Sequence, residues 1–360
     1  MKEQISRREF IRTTAVTAGA ITMGMSGNFV AAATDKTAIE KTRSYNPNME
    51  YRRLGSTGLW VSAVCLGGHF KRVGELTGHA IQGWERPTDA AAAAALDKNR
   101  DAVIGRCIDV GINLIDACTS GEVATYGPLL QGSRREKIYL NGGAWPECPR
   151  DKNWRTKEKL MESLEMNLKD GKQEYFDVWR IVTDDRGRHD DAENQEMIEA
   201  IELAKKQGKI RFGGASSHSH KWLTKMVSTH PKTFQVMCFP YTVKTQELPE
   251  GSLFEAVRKY DIGTLGIKPF GSNSLFHGAA DAEEKSRRAR MTLRYILGNP
   301  AITAPIPGLA TPEEVDNATA AVTEIRKLTK TEKKDVLAMT DDMYANLPPQ
   351  YQWLRNWEYV

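Results

Sequence analysis

Short apolar runs alternate with amphipathic stretches along most of this chain, and that alternation leaves few folds open. Eight runs read as strands: AVCLGG (63–68), NLID (113–116), KIYL (137–140), YFDVWRIV (175–182), IRFGGASS (210–217), TFQVMCFP (233–240), IGTLGIKP (262–269) and AITAPIPG (301–308). Stretches with helical spacing of apolar residues separate them, among them RTKEKLMESLEMNLKD, ENQEMIEAIELAKKQG and TPEEVDNATAAV. Eight strand–helix repeats are the count of a (β/α)8 TIM barrel. A doubly wound sheet is the other α/β solution, but no G-x-G-x-x-G follows the first strand.

The ends of the chain read differently. Residues 1–33 resemble a twin-arginine export signal: SRREFIR at 6–12, a moderately apolar stretch interrupted by Gly19, Gly24 and Gly27, then Ala31-Ala32-Ala33 as a small-residue cleavage site. That stretch is too short and too broken for a permanent membrane span. Residues 34–48 are polar and aperiodic and read as a linker. The barrel then occupies 49–360, opening with a hairpin around Ser56-Thr57-Gly58 and closing with an aromatic extension, PPQYQWLRNWEYV. The formal net charge is +4, and half of it belongs to the first 33 residues, where Lys2, Arg7, Arg8 and Arg12 face Glu3 and Glu9. No basic stripe remains for nucleic acid or an acidic membrane. Five cysteines lack C-x-x-C or zinc spacing.

In a barrel of this kind, acids at strand C-termini belong to the active-site mouth. Asp116 ends its strand and reads either as such an acid or as a helix N-cap. Alternation along a strand puts Arg180 on the interior face, toward the same place as Asp116. A cation buried there must be paired, so the two are expected to form a salt bridge. His69 and Lys71 follow the first strand and are candidates for proton transfer; a polar loop role is the other reading of His69. Cys118 lies two residues past Asp116. His218 and His220 have no partner motif for a metal, and no metal site is expected.

Several runs together resemble the aldo-keto reductases across residues 50–325: the opening hairpin, GINLID, REKIYL, YFDVWRI, GKIRFGGASS, FQVMCFP, GIKPFG and NPAITAPIPGLATPEEVDN. The resemblance implies a hairpin plugging the barrel floor, and NADP(H) bound in an extended pose at the strand C-termini. It also implies hydride transfer to a carbonyl with Asp, Tyr, Lys and His around the proton. Only the Asp is matched, by Asp116. The loop that should hold the Tyr is ACTSGE, and Tyr126 falls inside the following helix; Gly143 stands for the Lys and Val182 for the His. The cofactor positions survive better. Ser216 and Ser217 stand for the nicotinamide Ser-Asn, and Gln235 for the strand 6 Gln. Lys268, Pro269, Phe270, Gly271, Ser272 and Asn273 form the strand 7 loop over the pyrophosphate. Ile306, Pro307 and Gly308 lead to the adenosine end, near Glu314 and Asn317, both of which depart from the usual pattern. Ile267 replaces the usual stacking aromatic.

The reading is an exported oxidoreductase that uses NADP(H) on a carbonyl or sugar-like small molecule, with a reorganised proton relay built from Asp116, His69, Lys71 and Arg180. The alternative is a barrel that has lost redox catalysis and binds a ligand or performs non-redox acid–base chemistry. Nucleotide binding separates the two.

Overall fold

The computed structural model describes residues 36–324 and 327–360. The export signal read in residues 1–33 lies outside the described residues. Seven parallel strands follow one another in sequence order: β3 (Leu114–Thr119), β4 (Tyr139–Trp145), β5 (Phe176–Val182), β6 (Ile210–Ser216), β7 (Val236–Pro240), β8 (Gly263–Ile267) and β9 (Ala304–Ile306). The eighth expected strand is reduced to a pair of bridges. Leu66 pairs with Ile115 of β3 and Gly67 with Gly308 just past β9, which closes the sheet into a (β/α)8 barrel. A side chain does not fit there: a Cβ on Gly67 would stand 2.4 Å from Ile306 Cγ2, and Gly68 adopts a φ of +84°.

From Lys71 on, the helices are α1 (Lys71–Thr77), α2 (Ala90–Val110), α3 (Ser120–Leu129), α4 (Lys157–Asp170), α5 (Asp191–Lys206), α6 (His220–Thr229), α7 (Leu253–Tyr260), α8 (Ala282–Leu297), α9 (Pro312–Thr323) and α10 (Lys330–Ala345). The alanine run at 90–95 is helical. It is the first part of α2, N-capped by Asp89 and ended by Gly111 in the left-handed region. None of the described helices is long and apolar enough to cross a membrane.

Alternation sorts the side chains of each strand into two sets. Outward residues join the large core between sheet and helices, among them Ile115, Trp179, Ile181, Ala215 and Met237. Inward residues form a smaller core inside the barrel from Leu114, Val178, Val236, Cys238, Leu265, Ala304 and Ile306. Asp116, Arg180, Val182 and Ser216 continue the inward rows toward the strand C-termini.

The antiparallel hairpin β1 (Tyr51–Arg53) and β2 (Trp60–Ser62) covers the opposite end, sending Leu54, Leu59 and Val61 into the inner core. Gly55 bridges Ile262 at the start of β8, where a Cβ would stand 2.2 Å from the Gly263 nitrogen. The segment read as a linker is tied to this floor from Thr42 on. The Thr42 hydroxyl donates to the Trp60 carbonyl, and Arg43 donates to the Ile138 carbonyl and to Asp177. Arg43, Arg135 and Arg211 all converge on the fully buried Asp177 carboxylate, at 3.2, 2.9 and 2.8 Å.

Candidate active site

The strand C-termini open into a cleft of about 590 Å³. Its base holds the expected ion pair. Asp116 Oδ1 accepts from Arg180 Nη2 and from Asn141 Nδ2, both at 2.7 Å. Burial pushes the Asp116 carboxyl up from the ordinary carboxylate value, and the adjacent guanidinium works against that rise. Burial opposes the charge on Arg180 too, but Asp116 together with Cys118 and Cys238 raises the guanidinium well above its ordinary value. Arg180 Nε and Asn141 Oδ1 are buried and have no hydrogen-bond partner among the described residues.

One wall is built by β3 and α3. β3 runs through Thr119 directly into α3, with no intervening loop. Thr119 and Glu122 cap the helix reciprocally, the Thr119 hydroxyl accepting from Glu122 N–H while Glu122 Oε2 accepts from Thr119 N–H. Oε2 also accepts from Cys118 N–H at 2.7 Å. The other oxygen, Oε1, lies 3.0 Å from His69 Nδ1. Glu122 is 1% exposed, while the His69 ring lines the cleft. Trp84 stands edge-on to both His69 and Trp145 and extends this wall. Glu122 is the residue that sequence reasoning missed. The pattern Thr119-x-x-Glu122 carried the signal as a capping box, but reading ACTSGE as a loop concealed it.

The opposite wall comes from the loops after β4, β5, β6 and β8 and from the tail. His218 stacks on Trp353 at 3.8 Å, and its Nδ1 lies 3.1 Å from Asp185, which Arg150 also holds at 2.6 Å. Burial pulls the His218 imidazole well below its ordinary value, helped by Arg150 and Lys268. The 3-10 segment Pro349–Trp357 brings Gln350, Tyr351 and Trp353 to the mouth, and Trp357 Nε1 donates to the His218 carbonyl.

The family positions fall unevenly. A side chain at Gly143 is excluded because its Cβ would stand 2.3 Å from the Cys118 carbonyl oxygen. Across this point Ala117 pairs with Gly142 but Thr119 with Trp145, so β4 carries one extra residue, a bulge. Val182 lines the cleft with no polar atom. Tyr126 is buried edge-on against Phe70, and burial pushes its phenol up to about 12. Lys71 opens α1, and its side chain is outside the described part of the structure.

Of the expected cofactor residues, Ser216, Lys268, Pro269, Phe270, Ser272, Asn273, Ile306 and Gly308 line the cleft, as does Ile267. Lys268, Gly271, Ser272 and Asn273 all have positive φ. Others are turned to structural work. Ser217 Oγ donates to the Asp184 carbonyl and accepts from Ser219 N–H. Gln235 precedes β7 at the floor end, its backbone pairing with Gly213 and Gly263. Glu314 pairs with Arg72 and accepts from Ala310 N–H. Asn317 donates to the Ser286 carbonyl and ties α9 to α8. Gly271 and Pro307 lie in the loops next to lining residues.

The model of the Aldo/keto reductase family matches residues 79–290. The chain belongs to the aldo/keto reductase family. This aldo/keto reductase is 24% identical over 357 residues to "Uncharacterized oxidoreductase YrpG" of Bacillus subtilis, covering 85% of this chain and all of that protein. It is 23% identical over 317 residues to L-galactose dehydrogenase of Arabidopsis thaliana, covering 78% of this chain and 90% of that one. Among solved structures, the holo form of aldo-keto reductase AKR11C1 from Bacillus halodurans superposes with a TM-score of 0.58 at 18% identity, covering 81% of this chain and 96% of that one. The shared fold is the barrel, and the family uses NAD(P)H.

Proposed function

We propose that this aldo/keto reductase is an exported, NADP(H)-linked oxidoreductase for a carbonyl or sugar-like substrate, with its proton relay rebuilt around His69. The observation that carries the reading is the 3.0 Å contact between His69 Nδ1 and the buried Glu122, in the same cleft as the Asp116–Arg180 pair. A carboxylate on Nδ1 favours the tautomer with its proton there, which turns Nε2 toward the cleft for proton exchange with the substrate oxygen. Arg180 offers an unsatisfied Nε–H to the charge that develops on that oxygen, and Asp116 holds the guanidinium in place. Lys71 stays the alternative to His69 for the same proton.

The turn-rich loop at 268–273, where Lys268, Gly271, Ser272 and Asn273 have positive φ, and Ser216 fit a dinucleotide, because tight turns can aim backbone N–H groups at an anion. A bound nicotinamide would supply the hydride. Trp84, Trp145 and Trp353 give flat apolar faces among polar groups, which suits the two faces of a sugar ring. The name of the Arabidopsis relative, L-galactose dehydrogenase, points the same way. The resemblance of residues 1–33 to a twin-arginine signal supports export by the twin-arginine machinery to a place where a nucleotide would have to be carried tightly bound.

The test is calorimetric titration of NADPH and NADH into the full chain, followed by turnover with aldoses. Binding is expected for NADPH, and His69→Asn is expected to lower turnover about 100-fold or more with nucleotide affinity unchanged. Absence of heat with either nucleotide overturns the reading.

A further inference from the structure

We propose a second activity for this cleft: nucleotide-free proton exchange at the carbon next to a carbonyl, which interconverts α-hydroxy aldehydes and the isomeric ketones. It needs no dinucleotide and does not rest on the reductase reading.

Three features meet in one place. The first is a base with a fixed orientation. Glu122 is buried, and both of its oxygens are engaged: Oε2 takes the backbone N–H groups of Cys118 and Thr119, and Oε1 faces His69 Nδ1. The carboxylate is therefore immobile, and the ring it holds lines the cleft. The second is a donor without an acceptor. Arg180 is 1% exposed and bonded to Asp116 through Nη2, yet its Nε–H has no partner among the described residues. A buried guanidinium N–H left unmade is costly, and an anionic oxygen in the cleft satisfies it. The third is proximity: His69, Asp116 and Arg180 line the same cleft, and Asp116 Oδ1 is bonded to Arg180.

A base and a fixed cation across one cavity are what enolisation requires. The C–H bond α to the carbonyl breaks and its proton passes to His69 Nε2. The electron pair forms the C=C bond of an enediolate, and the negative charge settles on the former carbonyl oxygen beside Arg180. The hydroxyl proton moves to that oxygen from its neighbour. The proton on His69 then returns either to the same carbon, giving back the substrate, or to the adjacent one, giving the isomer. No oxidant or reductant is consumed. His69 is the catalytic base, and Glu122 is a positioning residue.

The full chain, freed of nucleotide, is incubated in D2O with D-glyceraldehyde and, separately, with D-glucose, and the C2–H signal is followed by proton NMR. Protein-dependent loss of that signal is expected with at least one of the two sugars, at a rate that NADPH does not raise. His69→Asn and His69→Gln are each expected to slow exchange by about 100-fold. Glu122→Gln keeps an oxygen for the two backbone N–H groups but removes the charge. It is expected to lower kcat for exchange at least about tenfold while KM and the thermal midpoint stay put, a split that a merely structural role for Glu122 would not give. Exchange no faster than buffer with both sugars, or undiminished exchange in the two His69 variants, overturns the proposal. Undiminished exchange in Glu122→Gln overturns the positioning role. Nucleotide titration of the same protein reports separately on the reductase reading.

Discussion

At the scale of single residues, the Asp116–Arg180 pair was legible before any coordinates, because period-two alternation and the cost of a lone buried charge leave little choice. Asp116→Ala leaves the guanidinium inside the barrel with no carboxylate. The expected loss is about 3–5 kcal/mol by urea denaturation. Asp116→Asn, which keeps an acceptor, should lose less. Glu122 was not legible in the same way. A glutamate at the third helical position looks like a cap and nothing more, and only the fold shows that its second oxygen meets a histidine more than fifty positions upstream. Gln235, Glu314 and Asn317 show the converse. Gln235 and Glu314 stand at family positions and Asn317 one residue short of one, but neighbours in the barrel engage their backbone or side chain: Gly213 and Gly263, Arg72, and Ser286 of α8.

At the scale of elements, the order of strands and helices could be read from the sequence because each strand is buried on both faces and each helix on one. The first strand could not. Its pairing is limited by two glycines whose neighbours leave no space, which is a property of the assembled seam. Nor could the junction of β3 with α3. A shortened ACTSGE suggests a small loop, whereas the backbone stays extended through Thr119 and a bulge in β4 absorbs the difference. That bulge places Gly143 against the Cys118 carbonyl. Gly143→Ala is expected to destabilise the fold by about 1–3 kcal/mol through overpacking, measured as a lowered urea midpoint. Gly143→Lys, which writes the family residue back, should fail to fold rather than restore a relay.

At the scale of the whole molecule, the floor and the mouth are held by different charges and should respond to acid differently. The three arginines around Asp177 hold its carboxyl down at about 2 despite complete burial. Its ordinary value is 3.8, so the folded state binds this proton less tightly than the unfolded chain does. The stability it contributes is present above pH 3.8 and is lost as pH falls toward 2. The shift corresponds to about 2 kcal/mol. Asp177→Asn should therefore be less stable than the parent at neutral pH, and the difference should shrink across that acid window in denaturation curves taken at successive pH values. The mouth carries the opposite linkage in Asp116, whose raised value means that the folded state binds this proton more tightly than the unfolded chain does.

The aromatic rim of the cleft has an optical consequence. The chain has eight tryptophans, and Trp84, Trp145 and Trp353 border one cavity from both sides. Anything that fills that cavity displaces water from three indoles at once. Occupancy is therefore written into the protein's own emission, with no label attached. A reduced nicotinamide would draw excitation energy from those rings and glow in turn, whereas a colourless sugar would only shift their spectrum. The two kinds of occupant can be told apart in a single cuvette.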